Sequence, residues 1–155
     1  MPQLVKGGKY IFGWTQIGKD GKVKIPDEAL NEYKLYHDEK VIIMSGSTPS
    51  GGFGLTSIRL LKDTPIGNSL KDYPKLITYQ ISEGEVIRIK KRLFCWLKME
   101  KEGIFHFNKK ILQSFNLKYK QLLLVGRGSG LAIGFIAKGL IYEEAKKHPE
   151  LQIYS

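Results

Sequence analysis

Phe12-Gly13-Trp14 returns as Phe94-Cys95-Trp96, 82 positions on. The same shift carries Gly52-Phe53 onto Gly134-Phe135, Lys9 onto Lys91, Lys19 onto Lys101 and Gly21 onto Gly103. It also carries Leu30 onto Leu112, Leu35 onto Leu117 and Gly46-Ser47 onto Gly128-Ser129, without a gap. One register that matches a tryptophan, several glycines and an apolar pattern marks an internal duplication. The expected layout is one pseudo-symmetric domain over 1–155, with repeats at about 9–61 and 91–143 and a connecting segment at about 62–90. One copy is smaller than the size at which a core usually suffices. Its half-buried strands also need a partner. The two copies are therefore expected to complete each other.

The 155 residues are of one-domain size, and 42% apolar content is enough for a core. No apolar run is long enough to span a bilayer, and Met1-Pro2-Gln3-Leu4-Val5-Lys6 lacks the pattern of a secretion signal. A cytoplasmic protein is the expectation. Cys95 is the only cysteine, so no intrachain disulfide can form. The formal net charge of +10 favours anionic partners such as nucleic acid, acidic protein or lipid headgroups. It is uneven: residues 1–75 carry 11 basic and 8 acidic side chains, residues 76–155 carry 14 and 7.

Within the first copy, residues 10–17 are β-branched and aromatic, as in strands. Asp20-Gly21 signals a hairpin turn. In the return strand Val23 and Ile25 face the core, with Lys22 and Lys24 outside. Pro26 suits a helix start, and Asp27 and Glu28 oppose the positive end of its dipole. Val41-Ile42-Ile43-Met44 reads as a buried strand, 45–54 as loop, and Gly54 to Ile58 as the way into a closing strand. The second copy repeats the order, with Asn108 as helix N-cap. Residues 62–75 read as irregular. An added hairpin is expected from Ile77, Tyr79 and Ile81, a turn at 82–85, and a strand over 86–93. A short helix is expected over 142–147, stopped before Pro149.

The segment Gly21-Lys22-Val23-Lys24-Ile25-Pro26, with Leu30, Leu35 and Asp38 through Val41-Ile42-Ile43, resembles the AbrB-like and SpoVT-like transition-state regulators. The resemblance covers about 45 residues of each copy. Asn108 stands where the motif has proline, and Ile104 where it has a basic residue. It implies a swapped-hairpin β-barrel, closed here within one chain as a pseudo-dimer: mainly β, with short helices. It also implies DNA binding through basic residues around the first hairpin and helix. At several positions where the family carries basic residues, this chain has Thr15-Gln16, Leu30-Asn31 and Leu112-Gln113.

Three groups of basic residues are candidate DNA contacts. Arg88, Lys90 and Arg92 would share one face of a strand, either tracking phosphates or protecting a sheet edge. Lys109 and Lys110 open the second helix, and Lys19, Lys22, Lys24 and Lys101 cluster at the hairpins; solvated charge is the plain alternative for both. The glycine-rich stretches 46–52 and 126–130 lack the Gly-Lys-Ser/Thr ending of a nucleotide loop and read as tight turns. Trp14 and Trp96 read as paired core residues rather than stacking platforms. Histidines 37, 106 and 148 show no metal-ligand spacing, and no catalytic arrangement emerges. The expectation is a DNA-binding regulator without enzymatic activity or cofactor, free to form higher oligomers. The alternative is a non-catalytic protein-interaction module on the same scaffold.

Overall fold

The structure is a computed structural model that describes residues 10–128 and 130–155, with the backbone alone at His37. The first half runs β1 (Ile11–Gln16), β2 (Lys22–Lys24), α1 (Asp27–Glu32), a 3-10 turn (Leu35–His37), β3 (Lys40–Ser45), β4 (Phe53–Thr56) and α2 (Ile58–Leu61). Then come α3 (Pro65–Leu70), α4 (Pro74–Ile77) and β5 (Ile87–Ile89). The second half runs β6 (Arg92–Lys98), a 3-10 turn (Lys101–Gly103), β7 (Ile104–His106), α5 (Lys109–Ser114), β8 (Leu122–Arg127), β9 (Ile133–Ile136), α6 (Leu140–Ala145) and β10 (Ile153–Tyr154). The molecule is thus mainly β with short helices. The bounds of β2, α1 and β3 recur 82 positions on as β7, α5 and β8.

Eight strands form one sheet in the order β10-β1-β8-β9-β4-β3-β6-β5, and β2 pairs with β7 in a separate ribbon. Each half leans on the other. β1 lies antiparallel to β8 with Trp14 opposite Leu124, and β6 lies antiparallel to β3 with Trp96 opposite Ile42. Val23 faces Phe105 in the ribbon, and Gly54 faces Gly134 where β4 meets β9.

Several expectations are corrected here. The sheet does not close into a barrel. The outer sides of β1 and β6 are taken by β10 and β5, two strands outside the repeated unit. The gapless register also fails past the loop. Met44 pairs with Gly54 but Gly126 pairs with Gly134, so the second loop is two residues shorter. The extra length in the first loop is absorbed by Gly51 and Gly52, both in the left-handed region (φ +60° and +65°). A Cβ at Gly52 would lie 1.9 Å from the Phe135 carbonyl oxygen. As a result, Phe53 and Phe135 are cross-strand partners and stack at 4.4 Å.

The third correction concerns the connecting segment. Residues 62–75 are not irregular: Thr64 caps α3 by accepting the Gly67 N–H at 3.0 Å, and Pro65 and Pro74 each sit in a first helical turn. Tyr79 has φ +58°, so 77–81 is not a strand. The hairpin is formed instead by β5 and β6, with Lys90 (φ +56°) and Lys91 as its turn. The final helix spans Leu140–Ala145, two residues earlier than the sequence suggests, because Gly139 (φ +108°) starts it. No helix of the described residues is long and apolar enough to cross a membrane.

The main core lies between the sheet and the ribbon. It joins Ile17, Val23, Ile43 and Phe53 of one half to Phe105, Leu123, Val125 and Phe135 of the other. Two smaller clusters cover other parts of the sheet. Trp96 packs with Leu61, Leu70 and Leu76 from the helices α2 to α4, and Trp14 packs with Ala145 of α6. Both indoles are buried, at 7% and 6% exposure, which removes them as stacking platforms. Trp14 meets Tyr142 edge-on at 5.1 Å, and Trp96 meets Tyr79 at 5.4 Å.

Cys95 is wholly buried, and burial pushes its thiol up to about 12. The thiolate is the reactive form, so a maleimide at neutral pH should leave Cys95 unmodified in the native protein. Labelling should appear only with unfolding, followed by mass spectrometry across a urea series; rapid labelling without denaturant would contradict the burial.

Candidate nucleic-acid interface

The turn after β1 is closed locally. Gly21 N–H donates to Gly18 O at 3.0 Å, and the Asp20 carboxylate accepts the Lys22 N–H at 3.0 Å. That backbone bond holds the Asp20 carboxyl below its ordinary range. The turn then docks on the opposite half. Phe107 N–H donates to Gly21 O at 2.9 Å, Lys120 N–H to Ile17 O at 2.7 Å, and the Gln16 amide to Lys120 O at 3.0 Å. Gly21 (φ +84°) permits this approach, since a Cβ there would lie 2.1 Å from the Phe107 oxygen. These bonds set Lys19 and Lys22 of one half beside the segments of the other that carry Lys109, Lys110, Lys118 and Lys120, a lysine-rich end of the β2–β7 ribbon. Asn108 caps α5 by accepting the Ile111 N–H at 2.8 Å, which sets Lys109 and Lys110 on its exposed first turn.

The matching turn at 100–103 docks the same way on the first half: Ile25 N–H donates to Gly103 O at 2.9 Å, and Met99 N–H to Glu39 O at 2.8 Å. Here acidic side chains predominate. Glu100 and Glu102 join Asp27, Glu28, Asp38 and Glu39. Residues Asp27, Glu28 and Asp38 stand 82 positions before Lys109, Lys110 and Lys120. The two ends thus differ in charge: at the second, acidic side chains are mixed with Lys24, Lys101 and Arg59, the last paired with Asp38 at 2.7 Å. His106 lies between the two ends, 3.6 Å from both Asp20 and Glu100.

The nine candidate lysines and arginines are therefore divided. Lys19, Lys22, Lys109 and Lys110 gather at the lysine-rich end. Lys101 is exposed at the acidic end. Lys24 is there too, but its ammonium is committed: it donates to Asp27 Oδ1 and to Ile25 O, each at 2.8 Å, and to Glu102 O. Replacing Lys24 with Met should cost roughly 1–2 kcal/mol of stability, the scale of a few charged hydrogen bonds less an exposed ion pair. Nucleic-acid affinity should stay level; thermal melts beside binding curves check both.

Arg88, Lys90 and Arg92 do not lie along one strand face. Lys90 and Lys91 make the β5–β6 turn, with Arg88 and Arg92 on opposite arms. Lys118 and Lys120 were not singled out by the sequence reading. They are far from the first hairpin in sequence, and no spacing rule links them to it. The bonds from Lys120 N–H to Ile17 O and from the Gln16 amide to Lys120 O reveal the grouping.

Compared with protein-family models, curated proteins and solved structures, the chain matches none.

Proposed function

We propose that this chain binds double-stranded DNA with its lysine-rich end, as a regulator built on a swapped-hairpin unit of the AbrB type folded within one chain. The observation that carries this reading is the difference in charge between the two ends. Lys19, Lys22, Lys109, Lys110, Lys118 and Lys120 outnumber Asp20 and the Glu83 and Glu85 that flank Gly84 beside Asn108, whereas at the corresponding end Asp27, Glu28, Asp38, Glu39, Glu100 and Glu102 outnumber Lys24, Lys101 and Arg59. Such a dipolar charge distribution steers one end toward the duplex and fixes its orientation. The exchanged pairing of β1 with β8 and of β6 with β3 supports the swapped-hairpin reading. Phosphate attraction, with little base readout, is the mechanism these side chains supply, because lysine ammoniums act as point charges.

Fluorescence anisotropy on a mixed-sequence duplex across a salt series tests the proposal. Each neutralised phosphate contributes about −0.9 to the slope of log K against log salt, so six engaged lysines give a slope of about −5. A slope near zero, or no binding at about 50 mM salt, would overturn the reading.

A further inference from the structure

We propose a second site: the cleft between the glycine-rich loop after β3 and the β5–β6 turn takes a small phosphate monoester with an apolar body. Its volume is about 300 Å³. Lys90, Lys91 and Arg92 line one wall, and no acidic side chain lines it among the described residues. Ser45, Ser47, Thr48 and Ser69 supply hydroxyls. Ile66, Ile89 and Phe94 supply an apolar surface. A few convergent polar groups over an apolar lining is the usual composition of a small-molecule site.

The cations here lack the carboxylate partners that Arg59 and Arg127 have. Arg59 binds Asp38 at 2.7 Å, and Arg127 binds Glu32 at 2.5 Å. Arg92 instead directs a guanidinium N–H toward the Met44 sulfur at 3.6 Å, and the Lys90 ammonium donates to Ser69 Oγ at 3.4 Å. Neither they nor Lys91 makes an ion pair among the described residues. Three successive uncompensated cations repel one another, and a dianion relieves that repulsion. The walls are pinned: Leu93 N–H donates to Ser45 Oγ at 3.0 Å, and Gly51 N–H donates to Ser47 O at 2.9 Å. Arg92 also borders the adjoining cleft of about 200 Å³, which reaches Gly126 and Gly128 at the far end of β8. The length of β8, about 20 Å, separates that place from Lys120 and the lysine-rich end. A duplex, as a rigid convex rod, fits the exposed lysine-rich end better than a recess with an apolar lining.

Calorimetric titration with phenyl phosphate, inorganic phosphate and phenol tests the site. Phenyl phosphate should bind most tightly, inorganic phosphate more weakly, and phenol not at all. Arg92→Gln and, separately, Lys91→Gln in the exposed turn should each weaken phenyl phosphate at least about tenfold, the loss of one charge-assisted contact. Duplex affinity should stay within about twofold in both variants. No phenyl phosphate binding at about 10 mM, or equal binding by wild type and both variants, overturns the proposal. Inorganic phosphate binding as tightly as phenyl phosphate overturns the monoester assignment. Loss of duplex affinity in Arg92→Gln without phenyl phosphate binding would make the cleft part of a DNA face and overturn it as well. A wild type that ignores duplex but binds phenyl phosphate would sink the DNA reading alone and leave this site standing.

Discussion

Reversing Lys109, Lys110 and Lys120 to glutamate should lower duplex affinity at least about 100-fold at low salt and flatten the salt slope by about 2.7, the share of three phosphate contacts. The substitution gives the lysine-rich end the charges that Asp27, Glu28 and Asp38 carry at the other end. It therefore removes attraction and adds repulsion; Lys120 has φ +67° where Asp38 has −100°, but the exchange there is of one unbranched side chain for another. Stability should not fall. Lysines in the first turn of α5 oppose the helix dipole, and glutamates there favour it by about 0.3–1 kcal/mol each. A variant that melts higher yet binds worse separates electrostatics from misfolding. Lys101→Glu at the acidic end is the control and should change affinity less than about threefold. If the triple variant binds duplex like wild type, the lysine-rich end is not the DNA face.

Phe53→Ala should be the most damaging single core substitution tested, costing about 3–5 kcal/mol. Phe53 is 2% exposed. Its ring stacks on Phe135 at 4.4 Å and meets Phe107 edge-on at 5.1 Å and Phe105 at 6.4 Å. Those three partners all belong to the second half, so the cavity would open where the halves join. For a chain of this size the loss amounts to a fall in melting temperature of roughly 10 °C. Two separately stable halves would give a smaller loss and two transitions in a denaturant melt. One cooperative transition displaced by that amount is the expected result.

Much of the local structure was legible because it rests on local chemistry. The turn at Asp20-Gly21, the Asn108 cap and the alternation of Val23 and Ile25 each need only neighbours a few residues away, whereas the hairpin expected around that turn does not form, because β2 pairs with β7 of the other half and not with β1. The connecting segment was not. Pro65 and Pro74 read as breakers, yet each opens a helix held by burying Leu70 and Leu76 against Trp96. Such short helices depend on packing, which sequence periodicity over four to six residues does not reveal. The strand β10 was invisible for the same reason: two residues have no pattern, and only pairing with β1 defines them.

The sequence by itself determined the 82-residue recurrence, the order of most elements within it and the surplus of positive charge, because these follow from residue types and their spacing. Tertiary structure decided which charges meet. By docking each turn on the opposite half, it placed Lys19 and Lys22 with Lys109 and Lys120, and Glu102 with Asp27 and Glu39. It also left the sheet open, since β5 and β10 occupy the sides of β6 and β1. Coulomb interactions depend on distance in space, and that distance was set by pairing between residues roughly 80–100 positions apart.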